Sequence, residues 1–171
     1  MNSVPGLEIT GCNMEKLLFL TCVVAITVYM AVTAWEDYKS CEVTRWKHLI
    51  GVIPALCLYL INIGEHGLIE YVLILIFAVL YIVIGYCGIY GFADGLILAN
   101  LTLFFGGIGG IAGSGIVLLI MIIAAFSFLI SHIVKSVMYK RKIFLHMTGA
   151  LIPHLFVGYA SVLFLMLRCM S

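Results

Sequence analysis

Asp37 and Asp94 are the only aspartates in the chain, and they stand 57 residues apart. Asp94 lies within "YCGIYGFADGLILANLTLFF" (residues 86–105), at the mouth of an otherwise apolar run, where a carboxylate is costly unless it has a use. Asp37 lies in the charged stretch "AWEDYKSCEVTRWKH". Each has a bland reading. Asp37 shares its stretch with Glu36, Lys39, Glu42, Arg45 and Lys47, and a charged residue in such company is usually a solvated one. Asp94 stands where a helix begins, and its carboxylate can satisfy free N–H groups and the positive end of the helix dipole.

The chemistry becomes specific only if the two meet. Carboxylates within about 3 Å cannot easily both ionise, so they share a proton. One then acts as base toward a water while the other donates to the carbonyl under attack. The elements must therefore bring residues 37 and 94 to the same depth.

Hydrophobic residues make up 64% of the 171 positions and charged residues 10%, against roughly a quarter charged in an ordinary soluble domain. The composition predicts an all-α polytopic membrane protein, one integral-membrane domain over residues 1–171 built as a bundle of six transmembrane helices. The apolar runs fall at about 17–35, 48–63, 68–87, 93–105, 109–137 and 146–167. The first run resembles a signal peptide at Val32, Thr33 and Ala34, but its apolar stretch is longer than a typical signal core and predicts an uncleaved span. The fourth is short and borrows length from its glycine-rich flanks.

Seven of the nine basic residues cluster in two places: Lys39, Arg45 and Lys47 after the first run, and Lys135, Lys140, Arg141 and Lys142 between the fifth and sixth. Lys and Arg near span ends favour the cytoplasmic side. Both clusters predict the same orientation, with the termini extracytoplasmic and the connections after spans one, three and five in the cytoplasm. Asp37, just past span one, and Asp94, at the start of span four, then share the cytoplasmic membrane edge.

With these residues placed, the chain resembles the type IV prepilin peptidase family, intramembrane aspartyl proteases with a G-x-G-D signature. Residues 91–94 read "GFAD", with Ala93 in the second glycine place and Leu96 where many members have a lysine. A second family pattern, close to D-x-x-x-x-x-I-P-N, reads "DYKSCEVTR" from Asp37, with Val43 in the isoleucine place and Thr44 and Arg45 in those of Pro and Asn. The last run contains "GALIPHLFVGY", similar to the family's proline- and glycine-containing final segment.

The resemblance implies an endopeptidase of the inner or plasma membrane with Asp37 and Asp94 as catalytic residues and Gly91 and Ala93 as supporting motif residues. It implies no metal and no cofactor. The partners it implies are prepilin-like substrates of a type IV pilus or secretion system, cut at the cytoplasmic edge, together with membrane lipid. Many members also methylate the new terminus through a cytoplasmic insertion with paired C-x-x-C motifs, which the short stretch after the first run lacks. Two other readings compete: a transporter or channel component using Asp94 as an ion or proton site, and an inactive scaffold of the same fold.

Other signals carry less. No basic stripe exists to follow a nucleic-acid backbone, so no nucleic-acid partner is expected. Cys12, Cys22, Cys41, Cys57, Cys87 and Cys169 form no C-x-x-C pair and are expected to act as small apolar fillers. "GIGGIA" (residues 107–112) matches a loose dinucleotide-binding pattern, but no acidic residue follows Asp94; a tight turn or close helix contacts at Gly106, Gly109, Gly110 and Gly113 are expected instead. His48, His66, His132 and His146 are expected at span ends, and His154 deeper, bonded to carbonyls freed by Pro153. Lys140, Arg141 and Lys142 set topology and touch anionic headgroups. Glu36 and Glu42 are the acidic candidates for receiving a basic leader.

Overall fold

The computed structural model describes residues 5–40, 43, 45–62, 64–138 and 150–170. Among them the chain is helical with no strand: α1 (Pro5–Ser40), α2 (Arg45–Ile61), α3 (Leu68–Tyr86), α4 (Phe92–Met138) and α5 (Ile152–Met170). Three of these contain stretches long and apolar enough to cross a membrane, Lys16–Ser40, Leu68–Tyr86 and Phe92–Met138. Shorter apolar helices occupy Trp46–Ile61 and Ile152–Arg168. The protein is a membrane-embedded helical bundle.

The α4 helix is not one rod. Gly109 leaves helical geometry (φ −131°, ψ 21°), and Gly110 adopts φ 60°, ψ −143°, a combination open to glycine and strained for other residues. The chain doubles back there. Eight residues along a straight helix span about 12 Å, yet a Cβ on Gly113 would collide with the Phe105 carbonyl oxygen, and one on Gly106 would lie 2.9 Å from Ser114 Oγ. The glycine-rich turn expected from the sequence is therefore two residues wide, between arms at 92–108 and 111–138. Asn62 closes the first arm by donating to the Gly107 carbonyl at 2.7 Å, one of the acceptors a helix end leaves open.

The first arm forms the centre of the bundle. Asp94, Gly95 and every residue from Ile97 to Gly107 are buried, as an element that is apolar all round must be. Around α4 pack α2, α3 and α5, while α1 packs on α2 and α5 rather than broadly on α4. The α1 helix is two-faced. Cys22, Ile26, Tyr29, Met30, Thr33 and Asp37 form its inward stripe at helical spacing, and Leu17, Leu20, Val24, Val28, Val32 and Trp35 remain exposed on the opposite side, available to lipid.

Two boundaries that bear on the site differ from the sequence expectation. The first span does not stop at residue 35, because nothing after Trp35 breaks a helix. Lys39 stacks over the Trp35 ring one turn back, 4.7 Å from its centroid, and Ser40 Oγ donates to the Glu36 carbonyl. Asp37 thus stands on α1, not in a loop. The last helix begins at Ile152, so Pro153 occupies its first turn, where a missing N–H costs nothing and no carbonyl is freed. Cys41, Glu42, Thr44, Lys140, Arg141, Lys142 and His146, together with the side chains of Arg45, Cys12 and Cys169, lie outside the described residues.

Candidate functional site

The start of α4 explains Asp94. Gly91 precedes the first helical residue, and its carbonyl receives the first helical hydrogen bond, from Gly95 N–H at 3.1 Å. Asp94, three positions on, turns its Oδ2 back to accept from Gly91 N–H at 3.1 Å. This is the backward half of a capping box, so the capping role anticipated for Asp94 is real. It also gives Gly91 a purpose, since a Cβ there would lie 2.9 Å from that Oδ2. Tyr90 ties the turn to α3 through its hydroxyl, which donates to the Tyr81 carbonyl at 2.9 Å. One turn into α4, Gly95 lets the arm approach α3 closely; its Cβ would lie 2.7 Å from that same carbonyl and 3.4 Å from Gly85 Cα. Ala93, the other motif residue, is partly buried and packs against the core.

Asp37 reaches its position differently. It sits in the last turn of α1, where the negative end of the helix dipole disfavours a carboxylate by about 0.3–1 kcal/mol. It is nevertheless only 8% exposed. Compensation comes from a helix 115 residues away: Asp37 Oδ2 accepts from Ile152 N–H, the first of α5, at 3.0 Å. The free N–H groups and positive dipole end of α5 favour an anion there.

The two aspartates are brought to one end of the bundle. Asp94 is 9% exposed, and the Asp37 charge is near enough to act on it directly. Each carboxylate is thus held by one backbone N–H at a helix start, its own for Asp94 and a distant one for Asp37. Among the described residues, no group of three His, Cys, Asp or Glu side chains converges where a metal could sit.

The surrounding charges are engaged. Glu36 Oε1 pairs with Lys47 across the α1–α2 corner, and Glu36 Oε2 is buried without a partner among the described residues. Glu36 is therefore half of an ion pair rather than part of an open acidic patch. Exposed Trp35, Tyr38 and Trp46 line the same end.

A second polar cluster escaped the sequence reading. His48 is 3% exposed, not interfacial, because it faces inward between α1 and α4. Its Nδ1 lies 2.8 Å from the Tyr29 hydroxyl. Asn100, on the first arm of α4, donates through Nδ2 to the Tyr29 hydroxyl and to the His48 carbonyl, each at 3.3 Å. A signal existed: an amide in the middle of an apolar span is expected to bond across helices. His154 also differs from expectation. Its Nδ1 lies 2.8 Å from Ser127 Oγ on the second arm of α4, and its ring meets the Phe128 edge. His132 stacks on the same Phe128 ring, and His66 approaches Glu70 at the far end of the bundle.

Comparison with protein-family models, with curated proteins and with solved structures finds no match to this chain.

Proposed function

We propose that the protein is an intramembrane aspartyl endopeptidase that removes the leaders of type IV prepilin-like proteins at the cytoplasmic membrane face. One observation carries the reading. Two carboxylates from helices far apart in sequence are buried at the same end of the bundle, each held by a backbone N–H at a helix start. A lone solvated loop residue and an isolated cap would not need to meet.

In this reading α1, α2, α3, the two arms of α4 and α5 make six spans, and both termini lie outside the cytoplasm. Lys39, Arg45 and Lys47 belong to the aspartate end and make it the cytoplasmic one. Trp35, Tyr38 and Trp46 suit the headgroup level on that side, in contact with lipid.

The chemistry follows from what each carboxylate has left to offer. Oδ2 of each is held by a backbone N–H, which leaves the other oxygen of each to engage a water brought between them. One carboxylate takes a proton as the water oxygen attacks the peptide carbonyl, and the other, protonated, donates to the carbonyl oxygen. Collapse of the tetrahedral intermediate breaks the C–N bond and returns a proton to the departing amine.

The test is co-expression with candidate prepilin-like proteins, read as a mobility shift. The wild-type chain should cleave, and Asp37→Asn and Asp94→Asn should not, while both variants insert normally. Continued cleavage by the Asp94→Asn protein defeats the reading, because no acidic residue follows position 94 to take over.

A further inference from the structure

The helices that carry the aspartates scarcely pack on one another. The α1 helix lies against α2 and α5, and α4 lies against α2, α3 and α5. Among the described residues, α1 is hydrogen-bonded to α4 through Tyr29 and Asn100, within a buried cluster completed by His48 of α2. Its hydrogen bonds can be assigned from supply and demand. Asn100 Nδ2 carries two hydrogens and has two acceptors, the Tyr29 hydroxyl and the His48 carbonyl. The Tyr29 proton then goes to His48 Nδ1, which leaves the ring as its Nε2–H tautomer. His48 Nε2 is buried with no partner among the described residues, so the ring is oriented by Tyr29 alone.

The cluster lies below the carboxylates. Tyr29 is eight residues before Asp37 on the inward stripe of α1, about 12 Å along the helix, and Asn100 is six residues beyond Asp94 on α4, about 9 Å. Both helices therefore leave a common fixed point and reach the aspartate end over similar distances. We infer that Tyr29, His48 and Asn100 are positioning residues: they lock α1 to α2 and α4 and thereby set the distance between Asp37 and Asp94. This rests on the endopeptidase reading only for its catalytic consequence.

Two measurements on the full-length protein in lipid vesicles separate these parts. The first uses spin labels at Tyr38→Cys and Tyr86→Cys, both exposed positions, with the native cysteines replaced. Residue 38 follows Asp37, and residue 86 ends α3, which the Gly85 and Gly95 contact holds to α4. Tyr29→Phe, which removes a single oxygen, and Asn100→Leu should each broaden the distance distribution. The control is Tyr159→Phe, which removes an equally buried hydroxyl, 2.8 Å from Thr27 Oγ1 between α1 and α5, and should leave the distribution narrow. An unchanged distribution in Tyr29→Phe and Asn100→Leu, or equal broadening in the control, overturns the inference. The second measurement is cleavage. Tyr29→Phe and Asn100→Leu should lower kcat by about 10- to 100-fold, the cost of misplacing reacting groups by about 1 Å, with KM within about twofold. A matched rise in KM with kcat intact would overturn the positioning role. Absence of cleavage by the wild-type chain with every substrate would remove the endopeptidase reading and leave the label distances to decide the cluster's role.

Discussion

Asp94 and Asp37 end in the same state, a buried carboxylate accepting one backbone N–H, and they arrive there by opposite routes. Asp94 bonds to a residue three positions away, at the start of its own helix, within an arm buried on all sides. Asp37 stands at the unfavourable end of its own helix and depends on a partner 115 residues away. One corner is built locally and braced by close α3–α4 packing. The other is assembled from two helices that must find each other. A carboxylate pair with one rigid and one docked member can open and close through the docked member alone.

The harshest way to break this comparison is to remove the chemistry from both sides. If the carboxylates act as a unit, Asp37→Asn and Asp94→Asn each lower kcat/KM by roughly 10³-fold or more, and the double variant is no worse than either single one. Additive losses in single-turnover cleavage would mean that the two corners work independently. A steric change acts next most strongly. Gly113→Val places a Cβ against the Phe105 carbonyl and should destabilise the protein by about 3 kcal/mol, toward the upper end for overpacking. Denaturant titration in mixed micelles would show it, and a neutral result would mean that the two arms of α4 are not closely joined.

The comparison sharpens when each anchor is removed alone. Asp37→Ala strands the Ile152 N–H, which should cost about 1–3 kcal/mol and speed amide exchange through the first turn of α5. Asp94→Ala should cost nearer 1 kcal/mol and leave α5 exchange unchanged. Equal exchange in the two variants would erase the distinction between local and docked corners. The smallest effect belongs to Gly91→Ala, whose Cβ crowds Asp94 Oδ2. A loss below about 1 kcal/mol is expected, and it should vanish when combined with Asp94→Ala, because the crowded atom is gone. Persistence of the loss in the double variant would place its cause elsewhere.

What could be read from the sequence follows the same division. The Asp94 corner is encoded within a few residues, so "GFAD" at the head of an apolar run points to a capping carboxylate, and the glycines ahead of "IAGSG" point to a turn. The apolar runs were equally legible, because burial in a bundle and burial in lipid both demand them. The Asp37 corner was only half visible. Its aspartate stood out, but the helix beneath it was hidden by charged residues that resemble a loop and instead continue the helix to Ser40. Ile152 as its partner was invisible, since a backbone N–H carries no residue signature. The Tyr29, His48 and Asn100 cluster failed for a related reason. Asn100 alone signals a bond across helices, but Tyr29 and His48 are ordinary residues in their spans, and only the packing of three helices makes them a group.

The bond between Asp37 and the start of α5 also orders events in time. Residue 152 is made long after residue 37, so α1 must wait with its carboxylate unsatisfied until the ribosome has delivered four further helical rods and the head of the last one. A nascent chain that stops before residue 152 carries both aspartates and lacks the anchor for one of them. The carboxylate pair can therefore take its final form only after translation has passed the Pro153 codon.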